Sequence, residues 1–136
     1  MKNQTFNKIK FIDTVNYINY KLNNKINSDL NLINLALYYI DFEFYRIKEE
    51  SLSTVLFIKH KGLPSINEID ILKNISLKIL NKKSSLTSSE KRHITKSCNQ
   101  LQSFKKGKLI DYIKNDLPCK ATEEGKVINL QLVFYR

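Results

Sequence analysis

His60 and His93, with Cys98 and Cys119, are the side chains best suited to nucleophilic or general-base work, but their spacing assembles no reaction centre. A nucleophile needs a base within hydrogen-bond reach and a third group that orients the base. Two isolated histidines leave few such combinations. The cysteines have neither CxxC spacing nor a neighbouring histidine cluster, so no zinc site and no disulfide framework is signalled; both are read as reduced thiols. The carboxylate pairs Glu49-Glu50 and Glu123-Glu124 fall in turn-like segments, where carboxylates stay solvated. No glycine-rich phosphate loop and no metal-ligand spacing is present. The residues therefore point away from an enzyme, and no cofactor is expected.

The wider composition narrows the class. With 136 residues, 42% of them apolar and 26% charged, the chain is expected to form one globular domain over 1–136 with a single core. The formal charge of +10 suits a polyanion partner only if the basic residues converge on one face; a Lys-, Asn- and Ile-rich composition also produces it without functional meaning. Residues 82–126 carry about two basic groups for each acidic one, so an acidic partner would meet that half or the first helix. The first residues, MKNQTFNKIKF, lack the apolar core of a secretory signal, and no apolar run approaches the roughly 20 residues of a membrane span. A cytoplasmic protein without membrane contact is expected.

The elements that would position any site follow from periodicity. Phe11, Val15, Ile18 and Leu22 form the stripe of a first helix over 9–22. After NNKIN, Ser28 or Asp29 is expected to cap a second helix that runs to Tyr45. Leu30, Ile33, Leu37, Ile40 and Phe44 line one face of it and Leu35, Tyr38, Phe42 and Tyr45 another. A helix apolar on two faces is central, so Asp41 within it needs a partner; a tyrosine hydroxyl or Arg46 is expected. The run 54–58 reads as a strand ended by Gly62 and Pro64. Capping boxes at Ser65/Glu68 and Thr87/Glu90 predict a third helix with Ile69, Leu72, Ile75 and Ile79 inside, and a fourth with Ile94, Cys98, Leu101 and Phe104 inside. A short fifth helix around Leu109, Tyr112 and Ile113 stops at Leu117-Pro118. Alternation of Ile128, Leu130, Leu132 and Phe134 predicts a strand over 127–134 that pairs with 54–58. The expected fold is α+β and mainly helical, about five helices around the buried second one with a small sheet.

Residues 34–45, NLALYYIDFEFY, resemble the signature helix of the Panacea domain of SocA-like antitoxins, which reads like KLLYFADFLHY; Tyr38, Asp41, Phe42 and Tyr45 match. The segment 57–64, FIKHKGLP, resembles the extended stretch before that family's Gly-Pro pair, with Leu63 splitting the pair here. LTSSE at 86–90 resembles the start of its penultimate helix. Pro118, KAT at 120–122 and GKVI at 125–128 resemble its closing motif. The family's usual Lys falls at Leu35, its His at Lys114 and its Trp at Cys119. The resemblance implies a domain that binds a toxin, encoded by a neighbouring gene, and neutralises it or adapts it for a protease. Tyr38, Asp41, Tyr45, Lys59, Gly62, Pro64, Lys114 and Cys119 are then the candidate partner-binding residues.

Other readings stay open. Tyr38, Asp41 and Tyr45 share a helix side and form either a recognition triplet or a packing group. Lys91, Arg92, His93 and Lys96 form either a solvated face or an acidic or nucleic-acid contact, and Lys105, Lys106 and Lys108 are the densest basic cluster. A small basic nucleic-acid-binding module and a phage-borne accessory or structural protein are the alternatives.

Overall fold

The computed structural model describes residues 5–23, 25, 29, 31–73 and 84–136. Ser28, Leu30, Ile75 and Ile79, and most of NNKIN, lie outside them. Helix α1 spans Lys8–Lys21 and opens on Asn7, whose side chain accepts from the Lys10 N–H. Phe11, Val15, Ile18 and Leu22 are all buried, so the stripe faces inward as expected. Helix α2 spans Asn31–Lys48, and the Asp29 carboxylate accepts from the Asn31 N–H at its start. Nine of its residues are buried, from both expected faces; Tyr45 is half-buried. α2 packs against α1 and against most of the elements that follow it in the chain, which makes it the axle of the fold.

The extended segment 54–57 keeps its period of two: Val55 and Phe57 are buried while Leu56 is exposed. Ladder pairing, however, begins only at Ile58. Strands β1, Ile58–His60, and β2, Leu63–Ser65, form an antiparallel hairpin in which His60 opposes Leu63. Its two-residue loop has φ of 52° at Lys61 and 80° at Gly62, the double positive φ of a type I′ turn. Pro64, which has no N–H to donate, sits on this two-stranded edge. The expected pairing of 54–58 with 127–134 is thus corrected. All that forms of it is one Ile58–Val127 bridge, supported by the Ile128 N–H on the Phe57 carbonyl and the Lys59 N–H on the Lys126 carbonyl.

Helix α3 spans Ile69–Lys73 in the described residues. It starts too late for Ser65 to cap it, because Ser65 is held in β2. Helix α4, Ser88–Gln102, does open on the expected Thr87/Glu90 capping box and buries Ile94, Cys98 and Leu101. Helix α5 spans Lys106–Asn115, with Gly107 in its first turn. Pro118 sits in the first turn of a further helix, α6, Leu117–Lys120, where a missing N–H costs nothing. Residues Leu130–Tyr135 are a 3-10 helix, not a strand. Asn129 caps it through the Gln131 N–H, and Val133, expected to face outward, is the buried residue. The fold is α+β and mainly helical as expected. No described helix is long and apolar enough to cross a membrane.

A candidate partner-binding joint

Five of the candidate residues come together where the hairpin, α5, α6 and the 3-10 helix meet the middle of α2. Tyr38 is buried there, its ring stacked on Phe42 with centroids 4.2 Å apart and edge-on to Phe57. Its hydroxyl donates to Asp116 Oδ2 at 2.7 Å and accepts the Cys119 N–H at 3.2 Å. The Cys119 thiol donates to the Gly62 carbonyl at 3.6 Å. Lys114 passes beside the turn: a Cβ added to Gly62 would lie 3.6 Å from Lys114 Cε. Lys59 joins from β1, with its ammonium on the Thr122 carbonyl at 2.9 Å.

Three further side chains lock this joint: Asp116 and Arg136, which the sequence reading passed over, and Glu124, which it took for a solvated turn carboxylate. Asp116 ends α5 and begins α6, and its carboxylate accepts from both Tyr38 and the Arg136 guanidinium, the latter at 2.7 Å. Arg136 also pairs with Glu43 of α2, bridging the axle to α6. Burial works against the Arg136 charge, and the hydrogen bond and charge of Asp116 outweigh it, so its pKa is raised. Glu124 takes both turn N–H groups, Lys61 and Gly62, on its two carboxylate oxygens; these donors hold its carboxyl below the usual range. An Asp two residues before Pro118 is a readable helix start. Nothing in local pattern flags Arg136 or Glu124.

The other candidates lie elsewhere. Asp41 is fully buried, and neither a tyrosine nor Arg46 pairs with it: Ser53 does, through its N–H at 3.2 Å and its hydroxyl. Arg46 is turned to solvent and pairs with Glu43. Tyr45 lies half-buried against Phe134, ring centroids 5.7 Å apart. Pro64 is buried in β2. Of the expected basic stripe, His93 turns inward, donating Nε2–H to the Ile40 carbonyl and standing edge-on to Phe44; burial lowers its pKa.

Burial sets the protonation of the joint's phenol and thiol. Burial first, then the Asp116 hydrogen bond, pushes the Tyr38 phenol far up, so it stays protonated. Burial raises the Cys119 thiol, and it pushes Cys98 up to about 12. Both cysteines are free and buried. Among the described residues no group of three or more His, Cys, Asp and Glu is placed to hold a metal ion.

The turn gives a direct check. A side chain at Gly62 meets no clash but must adopt a φ of 80°, which disfavours L-residues by about 1–2 kcal/mol. Gly62→Ala is expected to lower stability by about that amount, and Gly62→Asn by less, read from urea midpoints. Equal stability of Gly62→Ala would mean the turn relaxes freely.

Around the joint the surface is aromatic. Phe104 touches Tyr112 and Tyr112 touches Tyr39, with centroids 5.4 and 6.0 Å apart; across the Glu43–Arg136 pair, Tyr45 touches Phe134. Tyr112, Phe134 and Tyr135 are 40%, 47% and 76% exposed. Against this geometry, no family model, no curated protein and no solved structure matches the chain.

Proposed function

We propose that this chain is an antitoxin-like, non-catalytic interaction domain that binds a protein toxin encoded by a neighbouring gene. The observation that carries the reading is convergence. Segments of the chain far apart in sequence, which separately resemble the Panacea motifs, supply Tyr38, Gly62 and Cys119 to one hydrogen-bonded joint. Lys114, at the family's His position, lies beside them. These groups are engaged with one another in fixing the relative placement of four elements.

What such a joint supports is a rigid surface. Tyr112, Phe134 and Tyr135 offer large rings at low ordering cost, the residue type that dominates protein interfaces. Tyr45 and the Arg136–Glu43 pair back them from below. Binding there would occlude a toxin surface, or present the toxin to a protease, without a cofactor.

Co-expression tests this. Inducing the adjacent reading frame alone should arrest growth, and adding this chain should restore it. A chain carrying Phe134→Ala and Tyr135→Ala should fold normally and rescue poorly. Growth arrest that persists with the unaltered chain present, or rescue untouched by the double substitution, overturns the reading.

A further inference from the structure

Between the outer face of α4 and the flank of α1 lies a shallow, largely open groove of about 740 Å³, separate from the joint described above. Lys91, Arg92, Thr95, Lys96 and Asn99 line it from α4 and Tyr17 from α1. These α4 positions recur at one face of the helix, and the lining continues to Ser103, a run of about 18 Å at helical rise. None of the described residues that line it carries a carboxylate. Glu90, the one acid of α4, is turned away into the capping box and a 2.7 Å pair with Lys10.

The α1 wall adds rings to charges. Tyr17 and Tyr20 lie 6.1 Å apart, the Lys21 ammonium stands 5.5 and 5.2 Å from their centroids, and the Lys91 ammonium stands 6.0 Å from Tyr17. Tyr20 is 45% exposed. Three cations clustered in the first half of the groove, followed by neutral hydrogen-bonding side chains, suit a short run of phosphates. Tyrosine rings at the edge suit the flat faces of bases. A run of Asp and Glu side chains would pair with the cations but has no flat face to lay on the rings. The chain's +10 charge adds long-range attraction for either.

We infer that the α1/α4 groove binds a single-stranded nucleic-acid segment, its phosphates along Lys91, Arg92 and Lys96 and a base against Tyr17 and Tyr20. This stands independently of the protein-partner reading, because the groove and the aromatic joint surface share none of these residues.

Fluorescence anisotropy with labelled oligothymidylate and oligouridylate of about twelve nucleotides tests it. Both are expected to bind at about 50 mM salt, with affinity falling steeply by about 200 mM. The triple variant Lys91→Gln, Arg92→Gln, Lys96→Gln should lose ~10–100-fold in affinity and reduce the slope of log affinity against log salt by about 2. Lys105→Gln, Lys108→Gln, Lys126→Gln changes net charge equally at exposed sites outside the groove and should lose under ~3-fold. Tyr20→Ala, at an exposed position, should weaken binding ~5-fold or more, as loss of a stacking ring does. Circular dichroism checks that each variant is folded. A difference between the two oligomers in the groove-dependent part of binding assigns the strand as DNA or RNA. Absence of binding at the lower salt, equal losses from the two triple variants, or polyglutamate competing at equal charge while Tyr20→Ala changes nothing, each overturns the inference.

Discussion

Replacing Asp41 by Asn is expected to flatten the dependence of stability on pH between about 4 and 7. The Asp41 carboxyl is fully buried, and that burial raises its pKa to about 7, against the opposing pull of the two Ser53 hydrogen bonds and the Lys10 charge. In the unfolded chain the same carboxyl titrates near 3.9. Between those values the native state holds a proton that the unfolded chain has released, so stability must fall as pH rises. The contribution is complete below about pH 4 and is lost as pH passes through about 7. A separation of roughly three pH units corresponds to as much as roughly 4 kcal/mol. Asn has no proton to lose. Urea unfolding at several pH values should show the natural protein ahead at acid pH and Asp41→Asn drawing level or passing it at pH 8. Parallel pH profiles would mean that Asp41 stays ionised throughout, with its charge satisfied in the fold.

Tyr38 carries the second large effect. Tyr38→Phe keeps the ring stack but strands two buried groups, the Cys119 N–H and one lone pair of Asp116. Leaving buried polar groups unpaired costs about 1–3 kcal/mol each, and Arg136 still supports Asp116, so a loss of about 2 kcal/mol is expected. Tyr38→Ala also removes the ring packed on both Phe42 and Phe57 and should cost about 3–5 kcal/mol. Because Tyr38 and Asp116 share one hydrogen bond, a double-mutant cycle with Asp116→Ala should give a coupling of about 1 kcal/mol or more. Additive losses would separate α2 from α6 energetically.

The sequence made the axle legible because α2 repeats apolar residues on two faces over 18 residues, long enough for a 3.6-residue period to stand out. The Thr87/Glu90 box was equally readable, since both of its bonds are local. Residues 127–134 defeated the same logic. Ile128, Leu130, Leu132, Val133 and Phe134 are so densely apolar that a period of two and the i, i+3 spacing of a 3-10 helix fit alike. The Asn129 cap was the distinguishing mark. In the 54–58 run the alternation was real but the ladder lay elsewhere, because a Lys61-Gly62 turn closes the hairpin a few residues further on.

At the site, residue type pointed correctly to a buried Asp41 in need of a partner and wrongly to which partner. Ser53 follows α2 by only a few residues, yet its donors reach Asp41 only because the chain doubles back after the helix, with Glu49 at a φ of 57°. Asp116, Glu124 and Arg136 act entirely through contacts distant in sequence, with Arg136 reaching back to Glu43. One-dimensional pattern carries no trace of such contacts. The same holds for the α1/α4 groove: the cations of α4 were visible, but the tyrosines beside them come from another helix.

Titration calorimetry of the purified chain with the product of the adjacent gene decides whether this domain holds that partner. A saturable complex is expected, one that Phe134→Ala with Tyr135→Ala weakens at least ~10-fold, the loss of one or two interface hot spots, while the melting temperature stays put. No heat of binding, or a complex indifferent to that pair of substitutions, would contradict it.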